Sequence, residues 1–128
     1  MTERECVSSL EESLQQVQSV DGVRAVALID IATGMVVCSA GAAGPDLAET
    51  AECVADEARA CRVMLGPDSP GGDLDEISLQ TAGRIQLARV VSARPGQGML
   101  LFADLDRARA NLGLASLRVG RAAESVLA

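Results

Sequence analysis

The residues able to do chemistry in this sequence are cysteines, carboxylates and arginines, and their spacing builds no familiar reaction centre. Cys6, Cys38, Cys53 and Cys61 contain no CxxC pair, and with no histidine in the chain a zinc set cannot be completed. Three of the four fall on apolar stripes or flanks, where a free thiol behaves as a small hydrophobe. The adjacent acids Glu11/Glu12 and Asp56/Glu57 lie on helical stretches and point different ways, unlike a glycosidase pair. Asp68, Asp73 and Asp75 crowd one loop, but they lack EF-hand spacing and its terminal glutamate. There is no lysine, so no phosphate-binding P-loop, and no histidine to act as base for a serine or cysteine nucleophile. Arg59, Arg62 and Arg94 are conceivable arginine fingers only if a partner supplies the rest of a site. The expectation is a chain without catalytic, metal-binding or cofactor-binding residues.

Charge and composition narrow the partners. The net charge is −7, with eleven acids and four arginines in residues 1–64 against seven of each in 65–128. With a single aromatic, Phe102, the chain lacks both the positive field and the stacking platforms that nucleic acids need. The same balance disfavours anionic membranes. Hydrophobic residues make up 48% of the chain, enough for one folded domain over 1–128 with a core of Val, Leu, Ile, Ala and Met. No signal peptide or transmembrane run is present, which places the expected chain in the cytoplasm.

One helix carries more apolar surface than a single sheet requires. Pro45 breaks the chain before it, Asp46 is placed to cap it with Glu49 three residues on, and Gly66-Pro67 stops it. Leu47, Ala51, Val54, Ala58, Cys61 and Leu65 recur at helical spacing on one face. Ala48 and Ala55 widen that face on one side, and Cys53, Ala60 and Met64 on the other. Small flanking residues let a second backbone approach, so 46–65 predicts a helix–helix seam with another chain.

The rest of the chain supplies a sheet. Thr2 and Glu5 suggest a capping box opening an amphipathic helix to about Ser19, with Cys6, Leu10, Leu14 and Val17 as its stripe. Arg24 to Ile31 is apolar on both faces and predicts a central strand; Thr33-Gly34 turns it into Met35 to Ala40. Gly66 to Asp75 is a Gly/Pro-rich loop. Glu76 to Thr81 alternates cleanly and predicts an edge strand, followed by Arg84 to Ser92, a turn at 94–97, and a second central strand at Gly98 to Ala103. A last helix is expected from Asp104 or Asp106 to Val126, on a repeat running through Leu105, Ala108, Leu112, Ala115, Val119, Ala122 and Val126. Gly113 and Gly120 inside it are expected to pack against the first helix. The order α-β-β-α-β-β-β-α predicts an α/β (α+β) fold: a five-stranded antiparallel sheet sandwiched by helices.

This order over this length resembles the roadblock / dynein light chain family, on a profilin-like layout. Its specific pieces here are Val20-Asp21-Gly22-Val23 before a strand, Asp30 with the Thr33-Gly34 turn, and Asn111-Leu112-Gly113 in the last helix. The resemblance implies a homodimer in which the third strand pairs with its copy into a ten-stranded sheet and the second helices lie side by side. The implied contacts are Ala48, Ala51, Cys53, Ala55, Ala60 and Met64 with Glu76, Ile77, Ser78, Leu79, Gln80 and Thr81. It also implies a non-enzymatic regulator or scaffold for a small Ras-like GTPase, with the ridge Glu49, Glu52, Asp56 and Arg59 as the place to look for that partner. Two alternatives remain open: a small-ligand sensor of PAS or GAF type, which needs an internal cavity, and a pure assembly scaffold.

Overall fold

The computed structural model describes residues 3–41, 46–66, 72–91 and 98–126. Its elements are α1 (Glu3–Gln18), β1 (Val23–Asp30), β2 (Val36–Gly41), α2 (Leu47–Leu65), β3 (Glu76–Gln80), β4 (Arg84–Val90), β5 (Met99–Asp106) and α3 (Leu112–Ser125). The strands form one antiparallel sheet in the order β2-β1-β5-β4-β3. The two strands apolar on both faces, β1 and β5, are the inner pair, because only an inner strand is covered from above and below.

Strand alternation divides the core in two. Val26 and Leu28 of β1, Leu101, Ala103 and Leu105 of β5, and Ile85 and Leu87 of β4 meet Leu10, Leu14 and Val17 of α1 and Val119 and Ala123 of α3. Their neighbours in sequence, Ala27, Ile29, Leu100, Phe102 and Ala88, meet Ala51, Val54, Ala55 and Ala58 of α2 on the other face. One face therefore carries two helices and the other carries one, whose buried residues are mostly alanine.

The pieces that carried the family resemblance are joints of this fold. Gly22 has a φ of +90°, and a Cβ there would lie 2.8 Å from the Ala110 backbone. That turn is held to the β5–α3 connection by the Asp106 amide on the Gly22 carbonyl at 2.8 Å and by Arg109 on Asp21 at 3.1 Å. At the other end of β1 the Thr33 hydroxyl donates to Asp30 at 2.7 Å and the Gly34 amide to the Asp30 carbonyl at 2.8 Å. Asn111 caps α3, accepting from the Leu114 amide at 3.0 Å.

Several expectations are corrected. The last helix begins at Leu112: Asp104 and Asp106 extend β5, and Leu105 is a buried strand residue. The helical repeat before Asn111 loses to pairing of β5 with both β1 and β4, which satisfies its backbone on two sides. Gly120 packs beneath the Arg89 guanidinium of β4, and Gly113 is exposed, so neither seats α3 on α1. Asp46 occupies the cap position of α2 but its side chain caps nothing; Gly66 does end the helix, its amide reaching the Arg62 carbonyl at 2.9 Å. The Thr2–Glu5 box, Pro45, Pro67, Asp68 and the 94–97 turn lie outside the described residues, as does the side chain of Cys6.

Candidate functional site

The hydrogen-bond phase of β3 shows what its free edge offers. The Val90 amide donates to Asp75 and the Thr81 amide to Arg84, both at 2.9 Å, at the two ends of a continuous register with β4. In an antiparallel ladder bonded residues alternate, so Ile77 and Leu79 also bond inward to β4. Glu76, Ser78 and Gln80 therefore present their amides and carbonyls to the open side.

This edge is fixed at both ends. Arg89 pairs with Asp75 at 3.3 Å, and the Ser116 hydroxyl of α3 donates to the Glu76 carboxylate at 3.1 Å. At the far end Arg107 donates to the Thr81 carbonyl at 2.7 Å, and the Arg84 amide to the Thr81 hydroxyl at 3.1 Å. Arg84 itself forks onto Asp104, a carboxylate that is otherwise buried. The Asp104 hydrogen bond is the main reason the Arg84 guanidinium is held above its ordinary pKa.

An apolar patch adjoins the edge. Arg62 near the end of α2 pairs with Asp73 at 3.4 Å, and Leu74 and Ile77 pack into the α2 side of the core, so the last turn of α2 is tied to the segment that leads into β3. There Val63 is 85% exposed and Met64 76%, with Leu65 also exposed. Leu79, two residues beyond Ile77, emerges on the same side of the sheet and is 46% exposed.

The predicted contact residues sort accordingly. Ala48, Cys53, Ala60 and Met64 are exposed, as are Ser78, Leu79, Gln80 and Thr81; Glu76 and Ile77 are half-buried. Ala51 and Ala55 are corrected: both are wholly buried against the sheet and have no surface for a second chain. The misplacement comes from Ala55, which closes on the sheet beside the Gly34 turn instead of flanking it. The signal missed in the sequence is Val63, the most exposed of the large apolar side chains among the described residues, which sits outside any simple stripe.

The ridge is partly intact. Glu49, Glu52 and Asp56 face solvent, but Arg59 turns inward: it donates to the Ile31 carbonyl, to the Ala32 carbonyl at 3.4 Å, and to Asp56. It clamps α2 to the end of β1. Arg62 is likewise engaged by Asp73, and Arg94 lies outside the described residues. Cys38 is packed against the core, and burial together with Glu11 pushes its thiol pKa up, which makes it a poor nucleophile. Cys53 is exposed. Among the described residues no group of three or more cysteines and acids could hold a metal ion, and no helix is long and apolar enough to cross a membrane.

No protein-family model matches the sequence, and no curated protein does. Solved structures do. MglB in a tetrameric arrangement is 26% identical with a TM-score of 0.74, over 96% of this chain and 85% of that one. The gliding protein MglB of Thermus thermophilus is also 26% identical, with a TM-score of 0.73, over 96% of this chain and 86% of that one. A Roadblock/LC7 domain from Streptomyces avermitilis shares the fold at a TM-score of 0.77 and 15% identity, over 93% and 95% of the two chains. With this element order and these joints, the chain has a roadblock-type fold, similar to that of MglB and of the Roadblock/LC7 domain.

Proposed function

We propose that the chain is a single roadblock-like domain over 1–128 that works in the cytoplasm as a non-enzymatic homodimeric regulator or scaffold binding a small Ras-like GTPase. The observation that carries the dimer is the β3 edge: regular, fixed at both ends, open through Glu76, Ser78 and Gln80, and bordered by exposed Leu79, Val63 and Met64. An edge of this kind is a template for another strand, and a copy of itself satisfies it symmetrically. Pairing that uses all three open residues puts Ser78 on the two-fold axis, Glu76 opposite Gln80 of the partner subunit, and Ile77 beside Leu79 of the partner subunit. That register avoids facing like charges and joins apolar residues on the α2 side.

The likeness to MglB is consistent with a GTPase-associated regulator. Glu49, Glu52 and Asp56 form an acidic ridge on α2 that suits a basic patch on such a partner, and a two-fold seam along α2 shows the ridge twice. The ligand-sensor alternative has less support, because the concavities beside Gln16 and Arg121, beside Asp21 and Arg109, and beside Arg89 and Gly120 open at the surface, while Phe102, Leu28, Leu100 and Leu101 fill the interior. Light scattering on a dilution series tests the dimer: a mass of one chain throughout would end this reading. Titration with candidate GTPases, loaded with GDP or a GTP analogue, tests the partner, with nucleotide-independent capture favouring a pure scaffold. Alkylation gives a third check. Cys53 should react readily in the monomer and more slowly as concentration drives the seam together, while Cys38 stays slow in both.

A further inference from the structure

The face opposite α2 holds a concavity that the proposed seam leaves unused. Gln16 and Val17 of α1 face Arg118, Arg121, Ala122 and Ser125 of α3 across an open cavity of about 160 Å³. Val17 and Ala122 are buried, and the rim carries two guanidiniums, an amide and a hydroxyl.

The treatment of these two arginines differs from that of most others. Arg59, Arg62, Arg84, Arg89 and Arg109 each pair with an aspartate, and Arg107 donates to a carbonyl. Arg118 and Arg121 have no ion pair or hydrogen bond among the described residues, although Glu124 lies one helical turn beyond Arg121. They stand three residues apart on one side of α3, so their like charges share a single groove. A dianion between them would relieve that repulsion and accept forked, charge-assisted bonds from both.

We propose that this groove binds a tetrahedral oxyanion of the phosphate class, free or as a small monoester. A planar carboxylate is satisfied by one guanidinium fork. Two forks and the Gln16 amide, converging from two helices, match an acceptor with three or more oxygens in different directions. The Ser125 hydroxyl donates to the Ala122 carbonyl at 3.1 Å and joins the site by rotating its proton. The chain's net charge of −7 opposes any anion at long range, but that field is screened beyond about 8 Å at physiological ionic strength, so the local donors decide. The groove lies across the sheet from α2, and the site stands whether or not the seam forms.

The test is an NMR titration of the full chain at constant ionic strength with inorganic phosphate, O-phosphoserine and succinate. Saturable shifts are expected at the Arg118 and Arg121 side-chain N–H groups and along 118–125, for the two phosphates only and in the millimolar range. Arg118→Ala and Arg121→Ala should each weaken them about tenfold, while Arg109→Ala changes nothing. Tighter binding of phosphoserine assigns the oxyanion to a monoester, and equal or weaker binding assigns it to free phosphate. Succinate binding as well as phosphate, shifts spreading equally to Arg24 and Arg109, or no saturation would each overturn the proposal. The last result would leave the two arginines as solvated charges on the exposed side of α3.

Discussion

The sheet has two outer strands with similar hydrogen-bonding capacity and opposite construction. β3 runs in unbroken register with β4, and both its ends are fastened by side chains from β4, α3 and the chain after β5. β2 breaks register with β1 between Leu28 and Ile29, where Val37 is the extra residue. A bulge bends the strand and increases its twist, which spoils the flat surface another strand needs. Both edges expose an aliphatic residue, Leu79 on one and Val37 on the other. Apolar exposure alone therefore does not distinguish an interface from a blunted edge; regularity and anchoring do.

The comparison can be broken at graded points. The largest effect is expected from Ser78→Pro, which deletes an outward amide at the centre of the proposed seam and leaves the bonds to β4 in place. Dimer affinity should fall by more than about a hundredfold with circular dichroism unchanged, since two ladder bonds are lost across the axis along with close strand approach. Next, Leu79→Asp places a charge where two apolar patches meet, and should raise the dissociation constant at least about tenfold by sedimentation equilibrium. Ser116→Ala and Arg107→Ala release one fastening each. The Arg107 bond is exposed and the Ser116 bond only partly buried, so each should cost only about 0.5–1 kcal/mol of chemical stability, with faster amide exchange confined to β3. Val37→Lys on the opposite edge should change the dimer mass not at all. A dimer lost through Val37→Lys and kept through Ser78→Pro would reverse the assignment of the two edges.

Much of this is legible in the sequence because pattern and packing agree. Alternation at Ile77 and Leu79 marks an edge strand, and the doubly apolar RAVALIDI and GMLLFA mark the inner pair. The failures fall where a local pattern meets a stronger distant partner. Leu105 and Ala108 continue a helical period into Leu112, yet β5 gains hydrogen bonds from two neighbours by extending to Asp106, and Asn111 then caps the helix. Arg59 reads as a member of an exposed ridge, but its guanidinium finds carbonyls at the end of β1 that only the fold brings near. Ala55 reads as a seam flank because a small side chain suits any close approach, and Ala51, already on the apolar stripe, enters the seam only through the family resemblance; the sheet claims both.

The alanine-rich underside of α2 has a thermodynamic consequence. Ala51, Ala55 and Ala58 let the helix lie close to the sheet, but three methyl groups, Val54 and a half-buried Leu47 are a modest anchor, at about 0.8 kcal/mol for each buried carbon of methyl or methylene size. The same helix leaves Val63 and Met64 in water. If a second copy covers them, burial of α2 is finished only on association, and folding and assembly become linked equilibria. The melting temperature would then rise with protein concentration, and dilution would loosen α2 before any other element.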